Sequence, residues 1–134
     1  MATYQRWLAT GERELDGAQG EGFLQGLFLS DISAPCYTTA TERRVLMLEG
    51  VSQDRRGRTR ATGVSFEVPW TAVRGFWTGI MPFPPDLWRA GPEGPVVVLS
   101  LDPEATGGKD LVVHSAIDAW VGACRAMNIG RVRD

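Results

Sequence analysis

The chain has 134 residues, 43% of them apolar, with five Trp and five Phe and a formal charge of −2. That length suits one domain spanning 1–134, since domains most often run about 100–150 residues, and the apolar content excludes a disordered chain. The near-neutral balance argues against a general polyanion binder, and no apolar run approaches the ~20 residues of a membrane helix.

Glu12, Arg13, Glu14 and Asp16 arrive too early for a secretory apolar region, so a cytoplasmic location is expected. Tyr4, Trp7 and Leu8 sit at helical spacing, which predicts one or two amphipathic turns stopped by Gly11. The stretch from Glu12 to Gly22 mixes Gly17, Gly20 and Gly22 with acids and reads as a loop or irregular edge strand. Phe23 to Ser30 follows as a strand, with Gly26 marking a bulge or close backbone approach. Cys36 to Ala40 and Arg44 to Glu49 are strands on either side of a turn at Thr41-Glu42-Arg43.

Arg60 to Val68 alternates, which places Val64, Phe66 and Val68 on one face and Ser65 and Glu67 on the other. Pro69 ends that strand. Ala72 to Ile80 reads as a bent strand, and Pro82, Pro84 and Pro85 force an irregular excursion through Trp88 to Gly94. Pro95 to Leu101 is the clearest strand in the chain. Thr106 to Asp110 reads as a hairpin turn into Leu111 to His114. The last segment is helical: Ile117, Trp120, Val121, Cys124 and Met127 form one stripe. Ser115 and Asp118 have capping-box spacing, and Asn128 and Gly130 suit a helix end. Six or seven short strands closed by one terminal helix make an α+β, sheet-dominated domain.

Several phrases resemble the bacterial pleckstrin-homology-like family, which includes GRAM-type domains. Leu8-Ala-Thr-Gly11-Glu12 is similar to its opening "Leu-x-x-Gly-Glu". Tyr37-Thr-Thr-Ala-Thr41-Glu-Arg43-Arg44-Val45-Leu46 is similar to its "Tyr-x-x-Thr-x-x-Arg-Leu" strand. Val68-Pro69-Trp70-Thr71-Ala72-Val73 stands where the family leads into its fifth strand. The Pro-rich excursion from Met81 to Pro95 departs from that pattern. The resemblance implies a strongly bent antiparallel sheet, or partly open barrel, of about seven strands capped by one C-terminal helix. It implies neither one activity nor any catalytic residue, because such folds serve lipid headgroups, peptides and oligomerisation alike.

Two surfaces stand out. Asp54-Arg55-Arg56-Gly57-Arg58-Thr59-Arg60 carries +3 within seven residues. On a hairpin tip, Arg55, Arg56, Arg58 and Arg60 can converge on phosphate or on an anionic membrane, as a weak anchor. The competing reading is a solvated turn kept soluble by charge. No aromatic residue interleaves with these arginines, so nucleic acid is not the expected ligand. The segment from Phe76 to Trp88 concentrates aromatic, aliphatic and proline residues around a single charge. Phe76, Trp77, Phe83 and Trp88 are therefore candidate contacts for a protein partner or a second copy. The alternative is that this loop folds over one open end of the barrel; strand alternation allows Phe76 or Trp77, not both, into the core.

No catalytic arrangement emerges. His114 is the sole histidine and has no second metal-ligating neighbour in sequence. Cys124 falls on the helix's apolar stripe, and Gly107-Gly108-Lys109-Asp110 lacks the spacing of a phosphate-cradling loop. The expectation is a non-catalytic cytoplasmic binding module with no cofactor and no metal. The alternative is a carrier of a small apolar ligand or lipid inside the barrel, which needs an interior that side chains do not fill.

Overall fold

The computed structural model describes residues 8–26, 36–53, 55–57, 59–81 and 94–131. The expected N-terminal helical turn and the end of the Phe23–Ser30 strand fall largely outside them, as does the Pro-rich excursion with Phe83 and Trp88.

The described residues form nine strands and two α-helices, in chain order β1 (Glu14–Gln25), β2 (Cys36–Thr41), β3 (Arg44–Glu49), β4 (Ser52–Gln53), β5 (Thr59–Arg60), β6 (Gly63–Pro69), β7 (Val73–Met81), β8 (Gly94–Leu101), α1 (Pro103–Thr106), β9 (Asp110–Val113) and α2 (Ile117–Ala126). Seven strands form one antiparallel sheet in the order β6-β3-β2-β1-β9-β8-β7, and β4 and β5 make a separate hairpin. The fold is α+β, with one main helix.

The two edge strands, β6 and β7, do not pair with each other, yet they are consecutive in sequence. A single 3-10 turn, Trp70–Ala72, joins them. Six strand spacings of about 4.8 Å would hold the edges of a flat sheet roughly 29 Å apart. Three linking residues reach only about 10–14 Å. The sheet must therefore curve around its concave face.

That face holds the core. Ala18, Ala40, Val45, Met47, Val68, Phe76, Leu99, Leu111 and Val113 come from every strand of the sheet and pack with Trp120, Ala123 and Cys124 of α2. Trp120 is fully buried. The opposite face carries two smaller apolar clusters. Leu46 and Leu48 pack with Ala61, next to the β4–β5 hairpin, and Phe23 packs with Val96, Val98 and Val112.

The fold departs from the sequence expectation in four places. The glycine-rich stretch from Glu12 to Gly22, expected as a loop or irregular edge strand, supplies most of β1, a central strand between β2 and β9. It is irregular: β1 advances five positions from Glu14 to Gln19 where β2 advances only two, from Thr41 to Thr39. Gly17 turns there with φ of 80°, and a Cβ on it would stand 3.2 Å from the Ala119 Cβ of α2. The glycines let the helix approach. They do not break the strand.

The second correction concerns β6. Met47 pairs with Phe66 but Leu48 pairs with Val64, so Ser65 is an extra residue whose hydroxyl donates to the Met47 carbonyl. This bulge puts Val64 with Leu46 and Leu48, while Phe66 and Val68 face the core.

Third, the region between β8 and β9 contains a helical turn, α1, where a simple hairpin turn was expected. Asp102 caps it by accepting from the Glu104 amide, and Pro103 occupies its first turn.

Helix α2 also starts without the expected capping box. Ala116 is its N-cap with φ of 55°, and the Ser115 hydroxyl accepts instead from the Glu21 amide of β1. Its end follows the sequence signal: Asn128 adopts φ of 63°, Ile129 N–H donates to the Cys124 carbonyl and Asn128 N–H to that of Arg125. That is a Schellman arrangement with asparagine in the left-handed position. Trp120→Ala should lower the unfolding free energy by about 3–5 kcal/mol in urea denaturation. A loss below about 1 kcal/mol would show that α2 does not close the core.

Candidate binding surface

Strand β7 positions the predicted apolar surface, and its register divides the candidates. Phe76, expected among the partner contacts, is 1% exposed and belongs to the core. The β7–β8 ladder shifts between Val73 and Gly75, which brings Phe76 onto the concave face. Trp77 then falls on the opposite face, partly buried against Phe23, Val96, Val98 and Val112. The two aromatics divide between the faces, as alternation requires. Phe83 and Trp88 lie outside the described residues.

Sequence reading missed Ile80. It is 70% exposed, the large apolar side chain most open to solvent among the described residues. Its signal was the uncharged run from Gly75 to Pro85, in which the aromatics drew attention away from it.

Beside Phe76, the chain after α2 returns to β7. The Phe76 amide donates to the Gly130 carbonyl, and Arg131 forms a parallel bridge with Phe76. The Arg131 guanidinium lies 5.3 Å from the Phe76 ring centroid and donates to the Thr78 hydroxyl at 3.2 Å.

Arg55 and Arg56 lie between β4 and β5, where a hairpin tip was expected. Arg55 and Arg56 are exposed, Gly57 turns the chain with φ of 77°, and Arg60 is half-buried on β5. Arg58 is outside the described residues.

A buried, fully bonded carboxylate lies elsewhere among the described residues. Glu12 is only 6% exposed. Its carboxylate accepts from Arg44 Nε at 2.9 Å and Arg44 Nη2 at 2.8 Å, from the Thr41 hydroxyl at 2.6 Å and from the Ala9 amide at 2.9 Å. The Arg44 bonds hold the Glu12 pKa down to about 2 against the opposing effect of burial, with help from Thr41 and Ala9. Arg44 is stabilised in its charged form by Glu12, and by Glu67 2.8 Å from its Nη1.

Neither cysteine is poised as a nucleophile. Burial pushes the Cys124 thiol up to about 12 and also raises that of Cys36, 3.9 Å from the Ser65 hydroxyl. His114 Nε2 is 3.4 Å from Glu21 Oε1 but is not aligned for a hydrogen bond, and its ring packs near Phe23.

No protein-family model, curated protein or solved structure matches this chain.

The depressed Glu12 pKa makes a signed prediction. A carboxylate whose folded pKa lies below its unfolded value of 4.5 adds stability that is present above that value and is lost as pH falls toward 2. The stability advantage of wild type over Glu12→Gln, measured in urea at successive pH values, should therefore shrink by about 3 kcal/mol across that window. A difference independent of pH would contradict the assignment.

Proposed function

We propose that this chain is a non-catalytic, pleckstrin-homology-like binding module, cytoplasmic in location, which engages a protein partner or a second copy along β7. The observation that carries the reading is Ile80, an exposed apolar side chain on an edge strand, at the end adjoining the Pro-rich segment with Phe83 and Trp88. Exposed apolar surface of this kind marks interaction sites.

The PH-like part of the reading draws support from topology. With the β4–β5 hairpin set aside as the variable insertion, the strands run fourth-third-second-first-seventh-sixth-fifth and the terminal helix packs on the concave face. Two of the three phrases that carry the resemblance also meet in space, through Glu12 with Thr41 and Arg44.

The carrier alternative is less well supported, because one continuous set of buried side chains, Trp120 and Phe76 among them, occupies the concave side. Arg55 and Arg56 on the hairpin tip add a weak, salt-sensitive contact with an anionic headgroup.

A photoreactive residue placed at Ile80 should yield an adduct of defined mass in cell extract, competed away by excess wild-type chain. The same residue at Glu104, exposed on α1, should not. Equal labelling from both positions would overturn the reading.

A further inference from the structure

We propose that β7 is a self-pairing edge: two copies of this chain join their β7 strands antiparallel about a two-fold axis at Gly79, making one continuous sheet. This deepens the proposed function, on which it rests, by naming the partner and the register.

Backbone geometry selects the register. On its inner side, β7 pairs with β8 from Gly75 to Met81. The Phe76 amide points the other way, outward to Gly130. Strand groups alternate between the two sides, so the N–H and C=O groups of Thr78 and Ile80 also point outward. Among the described residues nothing bonds to these four groups. In an antiparallel pair centred on Gly79, Thr78 of each copy faces Ile80 of the other. Both residues have their polar groups turned toward the partner, giving four hydrogen bonds across the axis.

Gly79 then occupies the close, non-hydrogen-bonded position, where Cα atoms approach to about 4.5 Å. It has no Cβ there. A Cβ on Gly79 would lie 2.9 Å from the Trp77 ring, so the indole of the same strand covers the glycine.

Charge selects a second copy as the occupant. Edge strands usually resist pairing through lysines, prolines or inward charges. The run Gly75-Phe-Trp-Thr-Gly-Ile-Met81 has none of these. A two-fold axis sets a strand against itself, so charge on it would face like charge; residues 75–81 carry none, and Arg131 beside them is held on the Thr78 hydroxyl and the Phe76 ring of its own copy. The ladder is bounded on both sides. Gly130 and Arg131 occupy β7 at Phe76, and Pro82, which lacks an N–H, follows Met81.

Sedimentation of the full chain, up to roughly 1 mM, reads the outcome. Wild type should form a concentration-dependent dimer. Ile80→Pro removes an outward donor without touching the β8 ladder, and Ile80→Lys puts charge on the edge. Each should weaken dimerisation about tenfold or more. Position 80 of one copy lies diagonally across from position 80 of the other, so mixing Ile80→Lys with Ile80→Glu should restore the dimer.

A monomeric wild type, Ile80 variants that dimerise as wild type does, or a Lys/Glu mixture that stays monomeric would each overturn the self-pairing. If the purified chain is monomeric while position 80 still cross-links a different protein, self-pairing fails and the binding-module reading stands.

Discussion

The ion pair between buried Glu12 and half-buried Arg44 is the constraint on which the arrangement of the sheet depends. A carboxylate removed from water costs several kcal/mol unless its oxygens are fully bonded. Here four donors from Ala9, Thr41 and Arg44 satisfy both oxygens. Thr41 also binds the link between the edge strands: its carbonyl accepts from Trp70 Nε1 at 2.7 Å, while the Trp70 amide donates to the Arg43 carbonyl. Three distant parts of the chain meet there. They are the segment before β1, the β2–β3 turn, and the 3-10 turn that carries the chain from one edge of the sheet to the other.

That junction explains why the sheet curves and why its two edges differ. Trp70 holds the end of β6 at the β2–β3 corner, so the chain enters β7 already turned across the open side. The concave face is then filled by Trp120 and its neighbours on α2. Edge β6 ends at Pro69 and carries exposed Ser65 and Glu67, a polar edge. Edge β7 is uncharged from Gly75 onward and is met by the chain's own backbone at Phe76. The two edges therefore differ in charge: β6 is polar, and β7 carries no ionisable side chain from Gly75 to Met81.

Much of this was legible in the sequence. Strands with one clean signal, such as Pro95 to Leu101 and Arg44 to Glu49, needed only periodicity and β-branched composition. The stripe through Trp120 and Cys124 located α2, and Asn128 its end. Backbone packing hid the remainder. Glycines that admit a helix against β1 look the same in sequence as glycines that form a loop. The extra residue at Ser65 reverses the facing of Val64, and a strict two-residue period cannot register it. Glu12 and Arg44 lie 32 positions apart, and nothing local in either neighbourhood announces the pair. In the candidate surface, aromatic content drew attention to β7 but could not show that Phe76 faces the core, because the irregularity before Gly75 decides which residues of β7 face inward.

The central claim is that Glu12 and Arg44 act as one unit that fastens the sheet's corner. A double-mutant cycle tests it most directly, using Glu12→Ala, Arg44→Ala and the double variant, with unfolding free energies from urea titration at neutral pH. A coupling energy of about 2 kcal/mol or more is the predicted result, since residues in one bonded network depart from additivity. Single effects that add to within about 0.5 kcal/mol would contradict the account.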